Sequence, residues 1–164
     1  MAEEAQLSAL VAAAVAAGIT VATAESLTAG MVAAELARAP GASGMLQGGV
    51  VAYQNSVKAQ LLGVPADLLD SRGAVDPDVA CAMALGACRA AGARVGISTT
   101  GVAGPEPHQG KDVGHVYIGV ALDGEAQPYE YHFAGDREMI RLQATQEAIS
   151  LLEQVVKAAG EQKL

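Results

Sequence analysis

From Ala5 to Ala24 the chain carries no charged side chain, and that run limits how it can fold. It is long enough to cross a bilayer. Glu3 and Glu4 precede it, however, where a signal peptide would carry Lys or Arg, and its many alanines have little affinity for lipid. Gly18 divides it in two. Before the glycine, Leu7, Leu10, Val11, Ala14 and Val15 recur at helical spacing, so a helix is expected from Glu3 to Ala17 with Gly18 ending it. After it, Ile19 to Ala24 is neutral and β-favouring, as a strand covered on both faces would be. A soluble, cytoplasmic protein built of helices packed on a buried sheet is therefore expected.

The alternation continues. A second helix is expected from Thr28 to Ala39, stopping before Pro40, then a turn over Gly41–Gly44 and a strand from Met45 to Tyr53. Asn55 can cap a short helix through Leu62, and Pro65 to Leu69 adds another turn. Asp76-Pro77 combines a capping carboxylate with proline in the first helical position, which starts a helix running to Ala91. Val95 to Thr100 reads as a strand, Gly101 to Val113 as a loop, and Gly114–Leu122 with Tyr129–Phe133 as an antiparallel hairpin joined through Asp123-Gly124. A last helix runs from Asp136 to Ala159. The predicted fold class is α/β, a three-layer α/β/α sandwich on a mixed, mostly parallel sheet with a late antiparallel hairpin.

The 164 residues suffice for one domain, read here as 1–164. With 51% hydrophobic and 17% charged residues, the chain is not disordered, and a formal charge of -8 with 3% aromatics does not suit a nucleic-acid binder. The expected partners are a small molecule and further copies of the chain as a homodimer or higher homo-oligomer, with no nucleic acid and no membrane. Cys81 and Cys88 fall on one face of one helix, too far apart for a disulfide, and read as reduced core thiols. His108, His115 and His132 have no zinc-like spacing, so no metal is expected.

In open α/β sheets, small ligands bind beyond the carboxyl ends of the parallel strands. Three loops therefore matter. In Ala24-Glu-Ser-Leu-Thr-Ala-Gly30, Ser26 stands where a strand passes into a helix, suited to a nucleophile beside the helix N–H groups; alternatively, Ser26 or Thr28 is simply an N-cap. In Tyr53-Gln-Asn-Ser-Val-Lys58, the lysine could activate that serine. It would have to be neutral, which means lowering its pKa from about 10.4 to roughly 7 or 8 at a cost of about 4 kcal/mol. The alternative is an ordinary solvated lysine. In Ser98-Thr-Thr-Gly-Val-Ala-Gly-Pro105, hydroxyls and glycines follow a strand, as where backbone approaches a phosphate or carbonyl, but the spacing is not that of a P-loop.

Arg137 and Arg141 lie one turn apart at the start of the last helix, in line with its inward positions Ala144, Ala148 and Leu151. Two cations there oppose the helix dipole. Asp136 and Glu138 could compensate locally, or a bound phosphate could.

Taken together, Ala24-Glu-Ser-Leu-Thr-Ala-Gly30, Pro40-Gly-Ala-Ser43, Gly48-Gly-Val-Val-Ala-Tyr-Gln-Asn-Ser-Val-Lys58, Leu62-Gly-Val64, Gly73-Ala-Val75, Thr100-Gly-Val-Ala-Gly-Pro105, Val113-Gly114 and Gly135-Asp-Arg137 resemble the CinA C-terminal domain family over nearly the whole chain. That family includes amidohydrolases of pyridine-nucleotide salvage that deamidate nicotinamide mononucleotide. The resemblance implies Ser26 as nucleophile, Lys58 as general base and Tyr53 beside them in the hydroxyl network. It implies a substrate pocket drawn from Thr28, Gly30, Thr100, Gly101 and Gly104, with Arg137 or Arg141 on the phosphate side, and neither cofactor nor metal. A Ser-His arrangement is the competing mechanism, but nothing pairs His115 or His132 with Ser26.

The chain departs from the family pattern in Glu106-Pro-His-Gln-Gly-Lys-Asp112, which lacks the proline usual before Val113, and in His115, where threonine is usual. These changes are expected to alter the pocket wall while leaving nucleophile and base intact. Longer relatives carry another domain ahead of this one, whose activity is not expected here. A non-catalytic nucleotide-binding or regulatory module is the alternative function, and an assembly role in a competence or damage response is a third.

Overall fold

Three β-favouring segments pair in parallel within one sheet. The computed structural model describes residues 2–162; residues 1, 163 and 164, which the expected domain includes, lie outside the described residues. Strand β1 (Val21–Glu25) pairs in parallel with β2 (Leu46–Val51) on one side and β3 (Val95–Gly101) on the other. Strands β4 (His115–Leu122) and β5 (Glu125–His132) continue antiparallel, giving the order β2-β1-β3-β4-β5. Every residue of β1 is buried, whereas β2 alternates and β5 is largely exposed, as befits the two edges.

Side chains alternate across the sheet and so assign the helices to two layers. On one face, Val21, Ile97 and Ile118 meet Leu7 and Val11 of α1 (Glu4–Ala17), Val32 and Leu36 of α2 (Met31–Leu36), and Ile140 and Leu152 of α6 (Arg137–Glu161). On the other, Ala22 and Ala24 meet Leu62 of α3 (Asn55–Leu62), Leu69 of α4 (Ala66–Arg72), and Val79 and Met83 of α5 (Pro77–Ala91). The small residues on that second face have a reason. A Cβ at Gly96 would run into the carbonyl oxygen of Ala84, and one at Gly119 into that of Ala80, so α5 lies closer to the sheet than larger side chains would permit. The molecule is the three-layer α/β/α sandwich on a mixed sheet that the pattern predicts.

Local chemistry sets the boundaries. Gly18 adopts φ +68° and ends α1, and the Asp76 carboxylate accepts from the Asp78 and Val79 amides as α5 begins. Three elements differ from expectation. The helix placed at Thr28–Ala39 is only Met31–Leu36, preceded by a turn. Helix α4 continues to Arg72 rather than ending at Leu69. Strand β5 begins at Glu125, not Tyr129, because Asp123 and Gly124 both take positive φ and form a two-residue hairpin turn. Its charged residues and Pro128 conceal it in the sequence, and both are compatible with an edge. Among the described residues no helix is long and apolar enough to cross a membrane. Cys81 and Cys88 are half-buried free thiols on α5, with burial the first cause raising the pKa of each.

Candidate active site

Where β1 ends, the chain does not run directly into a helix. Residues 26–30 form a turn in which Ala29 and Gly30 take positive φ, and α2 starts only at Met31. Glu25 holds this turn in place. Its buried carboxylate accepts from the Val32 amide at 2.8 Å, the Ala33 amide at 3.1 Å and the Thr28 hydroxyl at 2.7 Å. Thr28 Oγ1 also lies 2.7 Å from Thr99 Oγ1; with the Thr28 proton given to Glu25, Thr99 donates to Thr28. An anionic side chain thus occupies the helix N-terminus, where free amides and the dipole favour it.

Two expectations change as a result. Neither Ser26 nor Thr28 caps the helix, whose N-cap is Gly30 without any side-chain bond. The first-turn amides expected to form an oxyanion hole are instead taken by Glu25. Ser26 donates its own N–H to the Thr99 carbonyl at 2.9 Å, which extends the β1–β3 pairing and fixes where its hydroxyl projects.

The second junction, from β2 into α3, supplies the lysine. Lys58 sits in the first turn of α3 and is only 1% exposed. Its Nζ lies 3.0 Å from Ser26 Oγ and donates to the Tyr53 carbonyl at 3.0 Å. Among the described residues no carboxylate lies within ion-pair distance of it. Burial without a counter-charge disfavours the ammonium and pulls the Lys58 pKa from 10.5 down to about 8. The alternative of a solvated lysine is therefore overturned.

Tyr53 takes a different place from the one expected. Its backbone carbonyl orients Lys58, while its half-exposed ring turns outward and its hydroxyl accepts from Arg137 Nη2 at 2.8 Å. The third loop also differs. Ser98 donates to the Ala80 carbonyl, Thr99 is bound to Thr28, and Thr100 donates to the Ala74 carbonyl at 2.7 Å. All three hydroxyls brace the scaffold, and Thr100 alone of them borders the open space.

That space is a cavity of about 460 Å³ at the carboxyl ends of β1, β2 and β3, a volume suited to a small ligand. Ser26 and Leu27 line it from the first loop, Tyr53, Gln54, Asn55 and Lys58 from the second, and Thr100 to Gly104 from the third. Ala74 and Val75 close another side. Glu106, His108 and Gln109 complete the wall, so the atypical 106–112 segment does face the cavity. Gln54 and Asn55 lie within the segment that carries Lys58 but are not among the expected site residues, and the folded chain places them on the wall.

The two arginines part company. Arg137 stands at the rim, with Nη1 donating to the Gly104 carbonyl at 2.6 Å and Nη2 to the Tyr53 hydroxyl. Two of its five N–H groups are thereby used, leaving three for a ligand. Arg141 does not line the cavity; its Nε donates to the Leu27 carbonyl at 2.8 Å and steadies the turn after Ser26. Thr28 and Gly30 are likewise parts of that turn and not of the wall, whereas Gly101 and Gly104 do border the cavity.

Known proteins share this arrangement of chain and sheet. A CinA-superfamily protein from Klebsiella pneumoniae superposes with a TM-score of 0.91 at 28% identity, covering 96% of this chain and 99% of that one. One from Escherichia coli gives 0.88 at 33% identity, over 92% of this chain and 89% of the other. In sequence, a competence-damage inducible protein of Desulforamulus reducens is 50% identical over 125 residues, which are 76% of this chain and 30% of that protein. Its counterpart in Bacillus subtilis is 45% identical over 124 residues, again 76% and 30%. The chain thus spans under a third of the length of these curated relatives. Residues 3–156 match the family described as the CinA C-terminal domain, and the chain belongs to that family.

Proposed function

We propose that the chain hydrolyses the carboxamide of nicotinamide mononucleotide to nicotinate mononucleotide and ammonia. One observation carries this reading. Ser26 Oγ lies 3.0 Å from the Nζ of a buried lysine that has no carboxylate to keep it charged.

In this reading neutral Lys58 uses one N–H on the Tyr53 carbonyl and turns its lone pair to the Ser26 hydroxyl. It takes the hydroxyl proton as Oγ attacks the amide carbon. The tetrahedral intermediate collapses with cleavage of the C–N bond, and the Lys58 ammonium returns that proton to the departing nitrogen, releasing ammonia. Water then gives a proton to Lys58 and attacks the ester carbon; the bond from that carbon to Ser26 Oγ breaks, Lys58 returns the proton to Oγ, and the acid is freed. The peptide N–H of Leu27, next after the nucleophile, is the proposed oxyanion donor, since the α2 amides are occupied. Arg137 supplies free donors at the rim for the substrate phosphate.

Ammonia release from nicotinamide mononucleotide, assayed on purified protein with Ser26→Ala and Lys58→Ala beside it, tests the proposal. Turnover by wild type alone is the expected outcome; equal inertness of all three would contradict it. A second reading, a nucleotide-binding module without turnover, would use the same cavity with the Arg137 donors at its rim. Under that reading, calorimetry would show nucleotide binding with no product, unaffected by Ser26→Ala.

A further inference from the structure

Away from the cavity, the β4–β5 hairpin gathers three metal-binding side chains that spacing along the chain does not reveal. His115 and His132 are direct partners in the antiparallel register, and Glu130 lies two residues before His132 on the same face of β5. Glu130 Oε2 is 3.0 Å from His115 Nε2, and Glu130 Oε1 is 3.9 Å from His132 Nε2. The imidazole centroids are 4.4 Å apart.

We propose that His115, Glu130 and His132 form a binding site for one divalent first-row transition ion of the zinc type. One donor atom from each residue falls within 4.8 Å of the other two. Ligands at about 2.0 to 2.2 Å around a tetrahedral ion stand roughly 3.3 Å apart, so side-chain rotation alone can close the set. Two imidazoles and one carboxylate suit zinc, cobalt or nickel, whereas calcium and magnesium favour oxygen donors. Tyr117, on the same face of β4, donates its hydroxyl to Glu130 and orients the carboxylate, as outer partners of metal ligands commonly do.

The site is open to solvent. His132 and Glu130 have side chains 68% and 50% exposed, so an ion can enter and keep water in its fourth position. The His115 carbonyl accepts from the Val102 amide, and Val102 lines the large cavity, so a bound ion would also fasten the hairpin to that wall.

The test is titration of the chelator-treated full chain with cobalt(II), followed by visible absorption and displacement with zinc(II). One cobalt per chain is expected, with the intense d–d bands of a low-coordinate site. His132→Ala and Glu130→Gln should each weaken binding about tenfold or more. Both residues are half-exposed or more, so the fold does not depend on them. Absence of binding in wild type, binding in either variant as tight as in wild type, or a thiolate charge-transfer band assigning the ion to Cys81 or Cys88 would each overturn the site.

Discussion

The two strand-to-helix junctions that meet at Ser26 each bury an ionisable group, and they treat it in opposite ways. At the end of β1, Glu25 receives two amides and a hydroxyl, and the helix N-terminus supplies a complementary field. At the start of α3, Lys58 receives no charged partner and only two oxygens. Burial alone therefore does not identify a reactive group. A buried charge whose charged form is satisfied builds structure, whereas one whose charged form is left unsatisfied is pushed toward its neutral form, as the proposed base requires.

The largest effect should separate the junctions by activity. Lys58→Met or Ser26→Ala should lower kcat for amide hydrolysis by about a thousandfold or more, with the overall structure intact, as read by ammonia release and circular dichroism. If Lys58→Met kept wild-type turnover, the contrast would have no functional meaning.

Next come two stability tests of opposite sign. Glu25→Ala leaves two amides and the Thr28 hydroxyl without their acceptor, and should cost about 3 kcal/mol in urea unfolding. For Lys58 the folded pKa of about 8 lies below the unfolded 10.5, so above pH 8 the unfolded chain holds a proton that the folded chain has released. Wild-type stability should accordingly gain up to about 3 kcal/mol from this group as pH rises from 8 to 10.5, and Lys58→Met should lack that gain. Parallel pH profiles for wild type and variant would break the comparison.

The arginines sharpen the same distinction at a smaller scale. Arg137→Ala should raise KM for the mononucleotide by tens-fold, about 2 kcal/mol, and leave the KM for the corresponding phosphate-free nucleoside nearly unchanged. Arg141→Ala removes only a bond to the Leu27 carbonyl. It should lower kcat about fivefold with little change in KM, since it acts through the turn and does not touch substrate.

What could be read in advance follows from whether the physics is local. Gly18, Asp76-Pro77 and the neutral β1 segment act on their own neighbours, so helix ends and the buried strand were visible in sequence. Ser26 and Lys58 were legible as candidates because each sits at a strand-to-helix boundary, but their contact depends on β1 pairing with β2 and is a product of folding. The residues read less well are those with partners far along the chain. Thr28 looked like a cap or ligand and binds Glu25 and Thr99; Arg141 looked equivalent to Arg137 and supports Leu27. Glu25 itself is one acidic residue among many until the turn at Ala29 and Gly30 folds the α2 amides back onto it.

The proposed catalysis rests on the protonation state of one amine. NMR titration of the Lys58 Cε resonance in protein carrying isotope-labelled lysine measures it directly. A midpoint near 8, shifted by Ser26→Ala far less than by unfolding, is the predicted result. A midpoint at or above the ordinary lysine value would leave less than about a thousandth of the amine neutral at pH 7, against roughly a tenth for a midpoint of 8, and contradict Lys58 as the base that activates Ser26.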